Sequence, residues 1–167
     1  MFEVLVYVYE NYWRGDACPE PDRLGRKLTA VGFDTEEIAQ ALQWLDGLNV
    51  AAQATRFHGP LQAPVGASVQ PSGALQSKQS LRVYSCAEQA HLGAESLGFV
   101  SFLESAGVLP SHMREIVMDR AMAVPGDPVA LDDLKIIVLM VCWSFGEEPD
   151  ALVLDELCDE ASYRTAH

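Results

Sequence analysis

The sequence predicts a mainly α-helical protein. A winged-helix-like N-terminal half, three helices plus a short β wing, is followed by a C-terminal helical bundle half. Three observations carry this reading. Apolar residues recur at helical spacing in six segments. Start and stop signals bracket several of them. A Gly-, Pro-, Ser- and Gln-rich stretch, residues 53–80, separates the third helix from one short alternating segment, Leu81–Tyr84.

The first helix is Met1–Trp13. Phe2, Val6, Tyr9 and Trp13 fall on one face, and Val4, Leu5, Val8 and Tyr12 widen it. Its β-branched content also permits a strand. The second starts near Pro19–Asp22, where proline suits the first turn. Leu24, Leu28 and Val31 repeat along it, and Gly32 is placed for a left-handed end. The third has the clearest start. Asp34 can cap the backbone N–H groups, Glu37 stands at the third helical position, and Phe33 with Ile38 forms a hydrophobic staple. Ile38, Ala41, Leu42, Leu45 and Leu48 make its core stripe.

Residues 53–80 lose that period and read as a flexible loop. Leu81–Tyr84 (LRVY) alternates like a strand, so residues 49–84 read as an enlarged wing. Residues 1–84 thus form the winged-helix-like region, and 85–167 a helical region that can pack with it as one unit. Ser85 and Glu88 form a capping box for a fourth helix running to about Ala106, with Leu92, Phe99, Val100 and Leu103 on one face and Gly107 as terminator. Ser111 can cap a fifth, in which Met113, Ile116, Val117, Ala121 and Val124 share a face.

The sixth helix holds LKIIVLMVCWSF, with Asp127 as N-cap, Pro128 at the first position and Gly146 as terminator. Ten residues at about 1.5 Å each span half of a roughly 30 Å bilayer core, and Lys135 and Glu147 close both sides. A membrane span is therefore excluded, and this becomes the most buried helix. Ala151–Ser162 reads as a short closing helix carrying Val153, Leu154, Leu157, Cys158 and Ala161.

The order and content of these blocks resemble the bacterial Smg proteins, a family of unknown function. The resemblance rests on MFEVLVYVYENY, LTAVGFDTEEIAQALQWLDGL, SLRVYS, GFVSFLESAGVLP, REIVMDRAMAV and LDDLKIIVLMVCWSF. It covers nearly the whole chain outside 53–80. It implies a cytoplasmic, mostly helical bacterial protein, with a pointer toward DNA processing from the family's usual gene neighbours. It supplies no catalytic residues.

Charge narrows the partners. The 167 residues hold 24 acids against 11 Lys plus Arg, a net charge of -13. Such a surface repels phosphate, which disfavours nucleic acid and anionic membrane, and attracts a basic partner. The charge is segregated. No Asp or Glu occurs from Gly47 to Ala87, where Arg56, Lys78 and Arg82 leave the tract positive. The N-terminus lacks a basic region before its apolar stretch, and Cys18, Cys86, Cys142 and Cys158 are widely spaced. Reduced thiols and a cytoplasmic location follow as expectations.

The would-be recognition helix, Thr35–Leu48, offers Gln40 and Gln43 to base edges but contains Glu36, Glu37 and Asp46 and no Lys or Arg. Arg23, Arg26, Lys27, Arg56, Lys78 and Arg82 form the only candidate basic strip for nucleic acid. Trp44 either covers the core or, with Gln40 and Gln43, anchors a protein partner. Cys86 and His91 lack further ligands at metal spacing, and no cofactor motif is present. The acid pairs Asp132–Asp133, Glu147–Glu148 and Asp155–Glu156 read as helix-start charge and solvated faces. The expectation is a non-enzymatic protein-interaction or regulatory protein with no cofactor. The alternative is a nucleic-acid-binding regulator acting through the winged-helix-like region.

Overall fold

A computed structural model describes residues 1–12, 20–57, 82–126 and 128–147. Among them are six helices: α1 (Phe2–Tyr12), α2 (Pro21–Val31), α3 (Thr35–Phe57), α4 (Cys86–Ser105), α5 (Ser111–Met122) and α6 (Leu131–Phe145). No strand occurs among the described residues, so the β wing is corrected. Arg82–Tyr84 is irregular chain leading into α4. The physical reason is that an alternating segment needs a neighbouring strand for its backbone groups. Arg82 and Tyr84 are instead held by side-chain contacts, with the Arg82 guanidinium 4.8 Å from the Tyr84 ring centre. The expected closing helix at 151–162 lies outside the described residues.

The core is built around α6. Leu134 through Cys142 are all buried, nine residues in succession. A helix covered on every side needs neighbours on every side. It has them: α1, α3, α4 and α5 all pack against it. The expected Asp127 cap lies outside the described residues. Pro128–Ala130 precede the helix, which begins at Leu131, three residues later than the proline signal suggested. The cause lies in α4. At Gly93 the backbone leaves helical geometry (φ 71°, ψ 170°), which frees the His91 carbonyl. That carbonyl accepts the Val129 N–H at 2.8 Å. Ser96 Oγ approaches the Val129 carbonyl at 3.5 Å. Val129 is thereby held against α4 before α6 can start.

The helix ends follow local chemistry closely. In α2, Pro21 begins the helix, and Gly32 (φ 111°) ends it while Phe33 N–H returns to the Leu28 carbonyl at 3.3 Å. Asp34 Oδ1 then accepts the Glu36 N–H at 2.8 Å. Glu37 does not close a capping box; its carboxylate takes the Met1 ammonium at 3.0 Å and pins α1 to α3. Phe33 packs edge-on to Tyr7, with ring centres 5.5 Å apart. The capping box at α4 is present in full, Ser85 N–H to Glu88 Oε2 at 2.7 Å and Glu88 N–H to Ser85 Oγ at 3.3 Å. Ser111 is the first residue of α5 and not its cap, because Pro110 occupies that position.

α3 runs to Phe57, so Gln53–Phe57 is helix where a loop was expected. Ala51, Ala52, Gln53 and Ala54 carry high helix propensity without an apolar period, and propensity decides here. At the α3–α5 crossing, Gly47 leaves room for the Arg120 guanidinium, which a Cβ would meet.

Two substitutions test this frame. Val138 is fully buried. Val138→Asp places an unpaired carboxylate in the core at a cost of at least about 3 kcal/mol. Against a typical total of about 5–15 kcal/mol, loss of cooperative unfolding by circular dichroism is the expected result. Gly93→Ala forces a side chain into a region reserved for glycine and is expected to cost about 1–3 kcal/mol, read as a lower urea midpoint with unchanged slope.

Candidate functional site

Three features of the described surface bear on function: the α2–α3 face, an ionic cluster between α4 and α5, and a groove between α3 and α6.

On the α2–α3 face, Arg23, Arg26 and Lys27 are exposed on α2, and Gln40 and Gln43 are exposed on α3. The two helices are joined by a three-residue turn, Gly32–Asp34. Lys27 Nζ reaches the Tyr12 hydroxyl at 3.0 Å and lies over its ring at 5.2 Å, so its charge is directed toward α1. Arg26 Nε contacts the Asp22 carbonyl at 3.3 Å. Trp44 does not join Gln40 and Gln43 at the surface. It is 4% exposed, in the core, and its indole N–H donates to the Arg120 carbonyl at 3.0 Å. A buried indole nitrogen needs such a partner, and this one locks α3 to α5. The Arg56 side chain and Lys78 lie outside the described residues.

Arg82 is not a free phosphate ligand either. Its Nε donates to Glu115 Oε1 at 2.9 Å, and its Nη2 donates to Glu115 Oε2 at 2.9 Å and to Glu88 Oε1 at 2.8 Å. Arg114, only 2% exposed, continues the cluster by pairing with Glu104 and with Glu115 Oε1 at 2.7 Å. Burial opposes the charge of both arginines, yet their carboxylate partners hold both above the ordinary guanidinium value. The Arg82 hydrogen bond, with the Ser85 N–H behind it, lowers the Glu88 carboxyl from 4.5 to about 2. Burial pushes Glu115 upward, but its bonds from Arg82 and Arg114 leave it below its usual value. This cluster fastens the chain entering α4 to α4 and α5.

The groove lies between α3 and the C-terminal end of α6. Leu45, Leu48, Asn49, Trp143 and Ser144 line a volume of about 250 Å3. Leu48 is buried, while Leu45 and Trp143 are partly exposed. The wall is thus mainly apolar, with two polar side chains from opposite helices.

Among the described residues, two cysteines and two histidines can be placed. Cys142 is buried in α6, where burial and then the Glu147 charge push its thiol up to about 11. Cys86 is exposed in the first turn of α4. His91 turns Nε2 toward the Ala121 carbonyl at 3.2 Å. Among the described residues, no group of three or more His, Cys, Asp or Glu is placed to hold a metal ion. No helix among them is long and apolar enough to cross a membrane.

Arg114 and the groove were missed in the sequence. For Arg114 a signal existed. It stands three, four and seven residues before Val117, Met118 and Ala121, within the apolar stripe of α5. For the groove there was none, since Asn49 and Ser144 meet only through the packing of α3 on α6.

Across residues 1–167 the chain matches the family described as "Protein of unknown function (DUF494)". The chain belongs to this family. Among similar curated proteins, each named "Protein Smg homolog", that of Leptothrix cholodnii is 61% identical over 167 residues and that of Methylibium petroleiphilum 59%. That of Bordetella petrii is 47% identical, and in all three both chains are covered completely. The Smg resemblance of the sequence blocks is therefore established. No solved structure matches the chain.

The ionic cluster predicts acid sensitivity. A carboxyl with a lowered folded value contributes stability that is complete above its unfolded value, near 4.5, and is lost as pH falls through about 2. Glu88→Gln should flatten the fall in urea stability between those two pH values relative to the parent. Arg114→Ala empties a buried position, while Glu104 and Glu115 are partly exposed and Glu115 keeps Arg82, so lost packing sets the expected cost at about 2 kcal/mol or more, measured by urea unfolding at neutral pH.

Proposed function

We propose that this DUF494 protein is a non-enzymatic, cytoplasmic protein-interaction or regulatory protein. The observation that carries the reading is the α3–α6 groove. Its wall is apolar, and Leu45 and Trp143 remain partly exposed there. Its volume of about 250 Å3 lies at the lower edge of the roughly 300–1,000 Å3 typical of sites that enclose a small molecule. A recess of this size takes one large side chain from another protein, in the way interface anchors fill pockets. The net charge of -13 supports a protein partner over a polyphosphate one.

A second reading, nucleic-acid binding linked to DNA processing, is favoured by one observation. Arg23, Arg26 and Lys27 are exposed on α2, next to a tight turn and the exposed Gln40 and Gln43 of α3. Arg82 is engaged with two carboxylates, which weakens this reading by removing a cation from the strip. Backbone charge dominates such affinity, and little of it is available here.

Affinity capture of the tagged full chain at native abundance is expected to recover a specific protein partner. Repeated capture without one, together with turnover of a metabolite by the purified protein, would overturn the interaction reading. For the second reading, anisotropy with duplex and single-stranded DNA across a salt series is decisive. Sub-micromolar binding that weakens with salt and with Arg23→Ala/Arg26→Ala supports it, and absence of binding at low salt removes it.

A further inference from the structure

Two exposed carboxylates stand close in sequence to the residues that line the groove between α3 and α6. Asp46 is exposed, one residue from Leu45 and three from Asn49 along α3. Glu147 is exposed immediately after Gly146, whose left-handed backbone (φ 71°) ends α6 three residues beyond Trp143. Glu147 is held there by its N–H, which returns to the Cys142 carbonyl at 3.1 Å. Neither lining helix offers a cation near these positions. The first basic residue of α3 is Arg56, and the one basic residue of α6, Lys135, lies two turns before Trp143 with its Nζ 6.0 Å from the Phe99 ring centre. The groove is therefore a mainly apolar recess whose exposed charged neighbours along α3 and just past the end of α6 are Asp46 and Glu147.

Resting on the interaction reading above, we propose that this groove docks a basic segment of a partner protein. One apolar side chain of that segment enters between Leu45 and Trp143, and flanking Lys or Arg side chains meet Asp46 and Glu147. Charge disfavours two other occupants. Residues 148–167 of the chain itself carry Glu148, Asp150, Asp155, Glu156, Asp159 and Glu160 against a single Arg164, so their charge does not complement Asp46 and Glu147. A second copy of the chain brings another net charge of -13 to the same carboxylates. A basic partner gains attraction from both these carboxylates and the whole-chain field, which raises its rate of encounter as well as fixing its register.

The test uses the full chain and a fluorescein-labelled amphipathic peptide of Leu and Lys, with a second peptide in which every Lys is Glu. Anisotropy should show salt-sensitive binding of the Lys peptide and none of the Glu peptide. Asn49→Trp, which fills the groove from an exposed helical position, should weaken binding about tenfold or more. The double reversal Asp46→Lys/Glu147→Lys should do the same. The reversal Asp22→Lys/Glu95→Lys changes net charge equally on exposed positions of α2 and α4 and should weaken binding far less. Circular dichroism confirms that each variant is folded. The proposal is overturned if the Lys peptide does not bind. It is overturned as well if Asn49→Trp leaves binding unchanged, or if both reversals weaken it equally. Protein capture separates the two levels. A partner recovered equally by the parent and by Asn49→Trp keeps the interaction reading and removes this groove as its site.

Discussion

Nine consecutive buried residues in α6 impose the architecture. With 3.6 residues per turn, Leu134–Cys142 point in every direction around the helix axis. No side of this stretch faces water, so the chain must supply cover all round. α1 and α3 come from before residues 58–81, and α4 and α5 from after them. The fold is thus closed by contributions from both parts of the sequence, and the core is continuous from Val4 to Cys142. Even Lys135 is drawn in, 7% exposed with its ammonium toward the Phe99 ring. Its long apolar stem suits that burial.

Covering one helix with four others creates seams, and the two arginines of α5 lie in them. Arg114 and Arg120 project from the same helix toward different neighbours. Arg114 reaches Glu104 of α4, while Arg120 lies over Gly47 of α3 and offers its carbonyl to Trp44. Arg82 joins from the segment entering α4. Ion pairs of this kind add little net stability over apolar contacts of the same shape, but losing one partner is costly. Their effect is geometric, since each fixes which residue of one helix stands against which residue of the next.

Much of this fold was legible from local signals because those signals act locally. The capping box at Ser85, the left-handed end at Gly32 and the apolar stripe of α5 depend on residues within two turns of one another. The burial of α6 was equally legible, since a run without polar interruption has no face to show water. The failures share a different cause. The LRVY segment alternates as a strand does, yet strand geometry is set by a partner the described chain does not provide. The start of α6 was misplaced because Val129 answers to the His91 carbonyl, freed by a break in another helix. Trp44, open to either role in the sequence, was decided by a carbonyl on α5. Each depends on a contact between residues far apart in the chain, which composition and period do not encode.

The same distinction explains why the candidate site was less legible than the fold. Gln40, Gln43 and the α2 cations are surface residues by periodicity alone, and they are found at the surface. The groove needs α3 and the end of α6 side by side, and no local pattern joins Leu45 to Trp143. Its chemistry also depends on where the cations are. Arg82, Arg114 and Lys27 are directed to Glu88, Glu115, Glu104 and Tyr12, between the elements of the fold. Cations employed inside the molecule contribute less to the field outside it. Exposed carboxylates such as Asp46 and Glu147 are thus offset by fewer outward-facing cations than the composition suggests. For a chain already at -13, that placement is what the proposed docking of a basic segment draws on.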